Sequence, residues 1–191
     1  VWNRFLERLW MFRKNKTKSV CERSPVISAE DLEIVSQQLG RPARSMLEVS
    51  ARCICGNPVV VKTKPRLDDG TPFPTLYYLT HPAATASMSR LESAGLMPQW
   101  AELLEDDEIQ QKYQTAHQSY LAEREQIEQV EEIREISAGG MPTRVKCLHA
   151  LAAHSLAVGP GINPIGDLAV ENSDWKIEKC QCERPKGVPI R

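Results

Sequence analysis

The chain lacks long apolar runs, has few cysteines for its length and carries almost no net charge, and each shortage excludes a class of protein. No apolar stretch approaches the roughly 18 residues that a membrane-spanning helix needs. Six cysteines among 191 residues are too few for a disulfide scaffold. The formal net charge of -1 argues against binding of nucleic acid through overall charge, so we expect no sequence-specific nucleic-acid partner.

The N-terminal residues also lack the pattern of an export signal. Arg4, Glu7 and Arg8 interrupt them before an apolar segment develops. We therefore expect a soluble, cytoplasmic protein whose cysteines are reduced thiols, metal ligands or reactive groups. The first residue is Val rather than Met, which leaves the true start of translation open.

The apolar content is sufficient for one core. Hydrophobic residues make up 41% of the chain and charged residues 26%. We predict a basic, flexible extension at 1–27, a single α+β domain at 28–170 and an irregular C-terminal tail at 171–191. Residues 1–14 have apolar side chains at helical spacing, which would allow a weak contact with an anionic membrane surface; a poorly ordered basic tail is the preferred interpretation.

Residue patterns predict a small three-stranded antiparallel meander packed against about five helices. β-branched and aromatic runs bounded by turn residues predict strands at 46–52, 58–63 and 73–80. Capping residues and apolar periodicity predict helices at 28–39, 82–94, 98–104, 106–134 and 142–158.

A turn between the first two strands contains Cys53 and Cys55, which could supply half of a metal site. A closed tetrahedral site needs two further ligands. His81 directly follows the third strand, and a meander can bring that loop close to the cysteine turn.

The last predicted helix offers Cys147, His149 and His154 as further ligands. Cys147 and His154 are separated by a rise of roughly 10 Å, and Cys147 and His149 point about 200° apart, so only one of the three can join a given ion. The preferred set for a zinc-like ion is therefore Cys53, Cys55, His81 and Cys147, with His149 in reserve.

Two alternatives to this set stay open. Cys180 and Cys182 could complete a four-thiolate site with the turn, but their irregular tail makes this the weaker arrangement. The cysteines could also be buried thiols without a metal, as many core cysteines are. The ligand types do not separate zinc from iron.

A possible anion site precedes the last predicted helix. Gly139 and Gly140 would place free backbone N–H groups at its start, and Arg144, Lys146 and His149 follow within two turns. This pattern supports an enzyme that acts on a phosphorylated or anionic small molecule; a solvated glycine-rich linker is the plainer interpretation. No Walker-type or dinucleotide-binding motif accompanies it.

Cys147 could also act as a nucleophile with His149 or His154 as its base. No diagnostic local signature supports this third possibility. We leave open whether the protein is an enzyme.

Several motifs occur in an order typical of one known family. They are Arg52-Cys53-Ile54-Cys55-Gly56-Asn57-Pro58, Asp69-Gly70-Thr71-Pro72-Phe73-Pro74, Gly139-Gly140-Met141-Pro142, Arg144-Val145-Lys146-Cys147-Leu148-His149 and Gly159-Pro160-Gly161. With them the chain resembles, over about residues 28–170, the bacterial and largely actinobacterial domain-of-unknown-function family numbered five hundred and one.

The resemblance implies no established reaction. It implies that relatives often carry Cys at the position of His81, which exchanges one type of metal ligand for another. It also implies gene neighbours that encode a septum-formation initiator protein and an exopolyphosphatase-like enzyme, which suggests a link to cell division or envelope growth. We therefore predict a metal-stabilised protein that acts through a protein partner.

Overall fold

A computed structural model describes residues 27–182, with six α-helices and one three-stranded sheet in this range. The prediction of an α+β fold is therefore confirmed. The strands are β1 (Met46–Arg52), β2 (Pro58–Thr63) and β3 (Tyr77–Leu79). The helices are α1 (Ala29–Leu39), α2 (Pro82–Ser93), α3 (Leu96–Glu102), α4 (Asp107–Ile127), α5 (Leu148–Val158) and α6 (Pro164–Asn172).

Two sequence-based expectations concern the membrane. Among residues 27–182 no helix combines the length and the apolar character needed to cross a bilayer. The membrane-surface contact that we predicted for residues 1–14 lies outside the described residues.

The sheet is the predicted antiparallel meander, with the order β1-β2-β3. Val59 and Val60 of the central strand are fully buried, and Val61 pairs with Val49 of β1 and Tyr78 of β3. A strand buried on both faces explains the uninterrupted Val-Val-Val run, because no position in that run faces water. Helix α5 packs against β1 and β3 and provides much of the cover.

β3 is shorter than the predicted strand at 73–80 because side chains of α4 bind the backbone that precedes it. The hydroxyl of Tyr120 accepts from the N–H of Leu76, and Arg124 donates to the carbonyl of Pro74. These groups replace part of the strand ladder, so only three residues pair regularly with β2.

The same arginine explains why α4 ends at Ile127 and not near 134. Arg124 is 1% exposed, and its guanidinium also donates to the carbonyls of Ile133, Arg134 and Ile136. The chain after α4 therefore folds back around a buried cation whose donors meet several carbonyl acceptors.

Helix α5 begins at Leu148, so the prediction that it begins at Pro142 was wrong. The preceding residues form a tight loop in which Gly139 and Gly140 have positive φ angles of 70° and 95°. A Cβ atom on Gly140 would lie 2.7 Å from the carbonyl oxygen of Arg144. Backbone conformation and close packing thus account for the two glycines, without an anion.

Helix α6 was not predicted, although Asn163 as its N-cap and Pro164 at its first turn are ordinary start signals. A Cβ on Gly166 would overlap the carbonyl of Leu151, so this glycine permits α5 and α6 to approach closely. Residues 173–182, after α6, are irregular, but they are attached to the core. Trp175 is 1% exposed and belongs to the core.

An ion pair joins the first helix to the end of β1. Asp31 completes a capping box with Ser28, and its carboxylate accepts from both terminal nitrogens of Arg52, at 2.7 and 2.9 Å. The hydrogen bond from Arg52 is the main reason why the pKa of Asp31 falls from 3.8 to about 2. The lowered pKa means that the folded state favours the ionised carboxylate.

We expect the Asp31 ion pair to stabilise the fold above about pH 4 and to lose its effect as the pH falls towards 2. The pKa difference corresponds to about 2 kcal/mol. The free energies of unfolding of the wild type and of Asp31→Asn should therefore differ at pH 7 and converge in acid. Glu33→Gln, on the exposed side of the same helix, is the control. A difference between wild type and Asp31→Asn that stays constant with pH would contradict this assignment.

Candidate metal centre

The turn between β1 and β2 holds the first two cysteines in fixed positions. The N–H of Cys53 donates to the carbonyl of Asn57 at 2.9 Å, and the N–H of Gly56 donates to the carbonyl of Cys53 at 2.7 Å. Gly56 has a φ angle of 94°, which glycine adopts without strain. As a result Cys53 is buried while Cys55 lies exposed at the tip of the turn.

The segment after α6 brings a second pair of cysteines to this turn. The buried Trp175 anchors it in the core, and the N–H of Ile54 donates to the carbonyl of Ile177 at 3.2 Å. This backbone bond places the following residues, Cys180 and Cys182, beside the turn. Two Cys-x-Cys pairs from distant parts of the sequence thus face each other.

The sulfur atoms of Cys53, Cys55, Cys180 and Cys182 all lie within 4.8 Å of one another. The Sγ atoms of Cys55 and Cys182 are 3.4 Å apart, and all four residues are free thiols. In a tetrahedral four-thiolate zinc site with zinc–sulfur distances of about 2.3 Å, the sulfur atoms are about 3.8 Å apart. The four cysteines can therefore hold one ion after small adjustments of their side chains.

His81 lies beside this cluster but has a different position from the ligand that we predicted. Its Nδ1 atom accepts from the N–H of Ala84 at 3.4 Å and so caps α2. Its Nε2 atom lies 3.1 Å from the sulfur of Cys182. Because burial lowers the pKa of His81, the ring is neutral, and with Nδ1 as acceptor its single proton is on Nε2. His81 therefore donates its Nε2 hydrogen to the sulfur of Cys182.

The electrostatics of the cluster favour a bound cation. Burial raises the pKa of Cys53 and of Cys182, and the neighbouring sulfur of Cys55 raises both further. The pKa of the exposed Cys180 is lowered, chiefly because its sulfur accepts from the N–H of Cys182. Four thiolates cannot gather here without compensation, whereas a divalent ion supplies it and His81 offsets charge on one sulfur.

The preferred ligand set from the sequence is therefore only half assembled. Cys53 and Cys55 belong to the cluster, His81 borders it, and Cys147 belongs to a separate group with Glu92 and His149. The reason is that α5 packs against α2, so its first residues meet the end of α2 and not the cysteine turn. The arrangement with Cys180 and Cys182, which we ranked lower, is the one that the structure brings together.

His154, another candidate ligand, lies in the core. Its ring stacks on Tyr77 with centroids 5.8 Å apart and meets the ring of Tyr120 edge-on. Its Nδ1 atom lies 3.2 Å from the side-chain amide of Asn163. Burial lowers the pKa of His154 to about 4, so the ring is neutral.

The residues of the predicted anion site do not form one binding site. The first N–H of α5, that of Leu148, donates to a carboxylate oxygen of Glu92 at 2.7 Å, so the chain itself supplies an anion there. Arg144 and Lys146 are exposed in the loop before the helix. Gly139 and Gly140 lie in that loop too, well before the helix start. The geometry on which the anion-site prediction depended is therefore absent from this loop.

The chain belongs to a family described as proteins of unknown function, which matches residues 49–171 and so more than half of the sequence. This is DUF501, the family that the sequence motifs resemble. Cys53, Cys55 and His81 lie within the matched range, and Cys180 and Cys182 lie beyond it. No curated protein and no solved structure matches the chain.

We expect His81→Asn to loosen the segment 175–182 while leaving α2 capped, because Asn is a good N-cap but is too short to reach Cys182. Hydrogen exchange of the amides in this segment should accelerate by about ten-fold, since one hydrogen bond and the packing of the ring are lost. Ser28→Asn, a cap exchange at α1, is the matched control. Unchanged protection in His81→Asn would show that this histidine does not hold the segment.

Proposed function

We propose that this protein is a metal-stabilised interaction protein in which Cys53, Cys55, Cys180 and Cys182 hold a zinc-like ion. One observation carries the proposal: four free thiols from two distant parts of the chain converge within 4.8 Å. Four thiolates this close together repel one another, which is costly unless a cation compensates their charge.

The role of such an ion is structural. Four protein ligands complete the tetrahedral coordination of zinc and leave no open position for water or substrate. The ion would cross-link the β1–β2 turn to the segment after α6, which the contact between Ile54 and Ile177 already brings together. Its binding free energy would then contribute directly to the stability of the fold.

Elemental analysis of the purified full chain should find about one zinc or iron per molecule. The double variant Cys180→Ser, Cys182→Ser should lose the metal and unfold at a lower temperature, because two thiolate ligands are gone. Cys147→Ser, which changes a cysteine outside the cluster, should keep both the metal and the stability.

Metal-free wild-type protein with full stability would contradict the proposal. So would a double variant that retains its metal, because the ion would then be bound elsewhere.

The proposal also includes a protein partner. Ile54, between the two cysteines of the turn, is 70% exposed. A metal that fixes this turn would present an apolar side chain in one conformation, which lowers the entropy that a partner must overcome. The gene neighbours implied by the family make a septum-formation initiator protein the first partner to test. The enzymatic alternative loses support because no helix begins at Gly140.

We expect the metal-loaded protein to bind the septum-formation initiator protein of its own organism and Ile54→Ser to weaken this binding by about ten-fold or more. Calorimetry with both purified proteins measures the affinity. Ile136→Ser replaces another isoleucine, 53% exposed and remote from the turn in sequence, and should bind normally. Absence of binding by the loaded wild type would remove the proposed link to cell division.

A further inference from the structure

A second group of titratable side chains lies where α2 meets the start of α5, and the proposed metal centre does not use it. Glu92, Cys147 and His149 have ligand atoms that all lie within 4.8 Å of one another. Cys147 is the residue that precedes the first turn of α5. All three side chains are partly exposed, so small molecules can reach them.

The hydrogen-bond partners of His149 identify its charge state. Its Nε2 atom lies 3.1 Å from the carbonyl oxygen of Thr85 and 3.2 Å from the hydroxyl of Ser89. That hydroxyl donates its own hydrogen to the carbonyl of Thr85, so it faces the ring as an acceptor. Two acceptors at Nε2 require that this nitrogen carries a proton.

The other ring nitrogen also faces an acceptor. Nδ1 of His149 lies 3.1 Å from the Oε1 atom of Glu92, which already accepts from the N–H of Leu148. Glu92 helps to raise the pKa of His149, so Nδ1 of the ring also carries a proton, which it donates to Glu92. With both nitrogens protonated, His149 is an imidazolium cation.

Cys147 is therefore placed next to a cation that the chain itself supplies. The His149 ring is the main cause that lowers the pKa of the Cys147 thiol, and the N–H of Ala150 at the start of α5 lowers it further. In turn, Cys147 and Glu92 raise the pKa of His149 to about 9. A thiolate beside an imidazolium that a carboxylate orients is the arrangement that activates sulfur nucleophiles.

We propose that Cys147 is a reactive nucleophilic thiol, activated by His149, that takes small uncharged electrophiles such as hydrogen peroxide. The group as a whole carries one negative charge, from two anions and one cation, which disfavours anionic reagents. Its partial burial admits only small ones. Glu92 acts as a positioning residue, because it holds the ring and the first N–H of α5 together.

Hydrogen peroxide would oxidise Cys147 in a single step. The Cys147 thiolate attacks one peroxide oxygen, the O–O bond breaks and a sulfenic acid forms. The sulfur loses two electrons, and the peroxide gains them. The departing hydroxide takes a proton from His149 and leaves as water, which leaves the ring neutral.

The first test measures alkylation of the full chain, purified with its metal, by limiting iodoacetamide at neutral pH. Peptide mass mapping should find Cys147 modified first, about ten-fold faster than the same residue in the urea-unfolded chain, because a larger fraction of it is thiolate in the fold. Equal or slower reaction in the folded chain would overturn the proposal. This comparison needs no variant, so it remains decisive even if substitutions in the group disturb folding.

Variants then separate the roles of the neighbours. His149→Gln should slow alkylation of Cys147 by about ten-fold, and Glu33→Gln, an exposed change in α1 that belongs to neither cysteine site, should leave it unchanged. Glu92→Gln should lower the pH at which the His149 ring loses its proton, followed by nuclear magnetic resonance of the ring, because Glu92 helps to raise the pKa of His149; a purely structural role would leave that pH unchanged. An unchanged rate in His149→Gln would overturn the activation by the ring.

The last test uses hydrogen peroxide and zinc to distinguish a reactive thiol from a metal site. Substoichiometric hydrogen peroxide followed by a sulfenic-acid trap should label Cys147, and absence of the label would overturn the choice of electrophile. If excess zinc protects Cys147 and a second equivalent binds, the three side chains form a metal site instead. The sulfenic-acid label on Cys147 does not depend on whether the four-cysteine centre holds its ion.

Discussion

The structure depends on the attachment of the segment after α6 to the β1–β2 turn, and His81 is the residue where this attachment meets the core. Its Nδ1 atom caps α2, its Nε2 atom faces the sulfur of Cys182, and its ring packs on Trp175 with centroids 5.5 Å apart. One neutral imidazole thus connects the end of the sheet, a helix start and the C-terminal segment. The two nitrogen contacts together fix the tautomer, with Nδ1 as the acceptor and the proton on Nε2.

The local elements could be predicted from the sequence because their signals are local. The capping box at Ser28, the valine run of β2 and the glycine-rich ends of helices identify α1, the meander and most helix boundaries. The helix bounds that were predicted wrongly have a different cause. α4 ends at Ile127 because Arg124 binds carbonyls of the chain beyond it, and no periodicity encodes that contact. α5 begins late because Gly139 and Gly140 form a tight loop that resembles a helix start in sequence.

The metal centre could be predicted only in part for the same reason. The turn cysteines were recognised from their spacing, but the choice of partners required the packing of two helices and a tail. The irregular composition of the tail ranks the four-thiolate arrangement lower, although a buried tryptophan such as Trp175 provides enough apolar surface to anchor the segment. Glu92 was missed entirely, because nothing near it in sequence indicates that α2 ends beside the start of α5.

The two cysteine sites differ in where their positive charge comes from, and this difference decides their chemistry. At the four-cysteine cluster two neutral groups of residues 27–182, the His81 ring and the N–H of Cys182, donate to sulfur, so several thiolates would gather there only with an external cation. At Cys147 the ring of His149 is part of the fold, and it lowers the pKa of the thiol without any ion. A metal ion gains most where charge is uncompensated, and an electrophile reacts fastest where a thiolate is already present and not coordinated. If both proposals hold, the fold separates metal binding from thiol reactivity, because it places a cationic side chain at Cys147 and none among the described residues at the four-cysteine cluster.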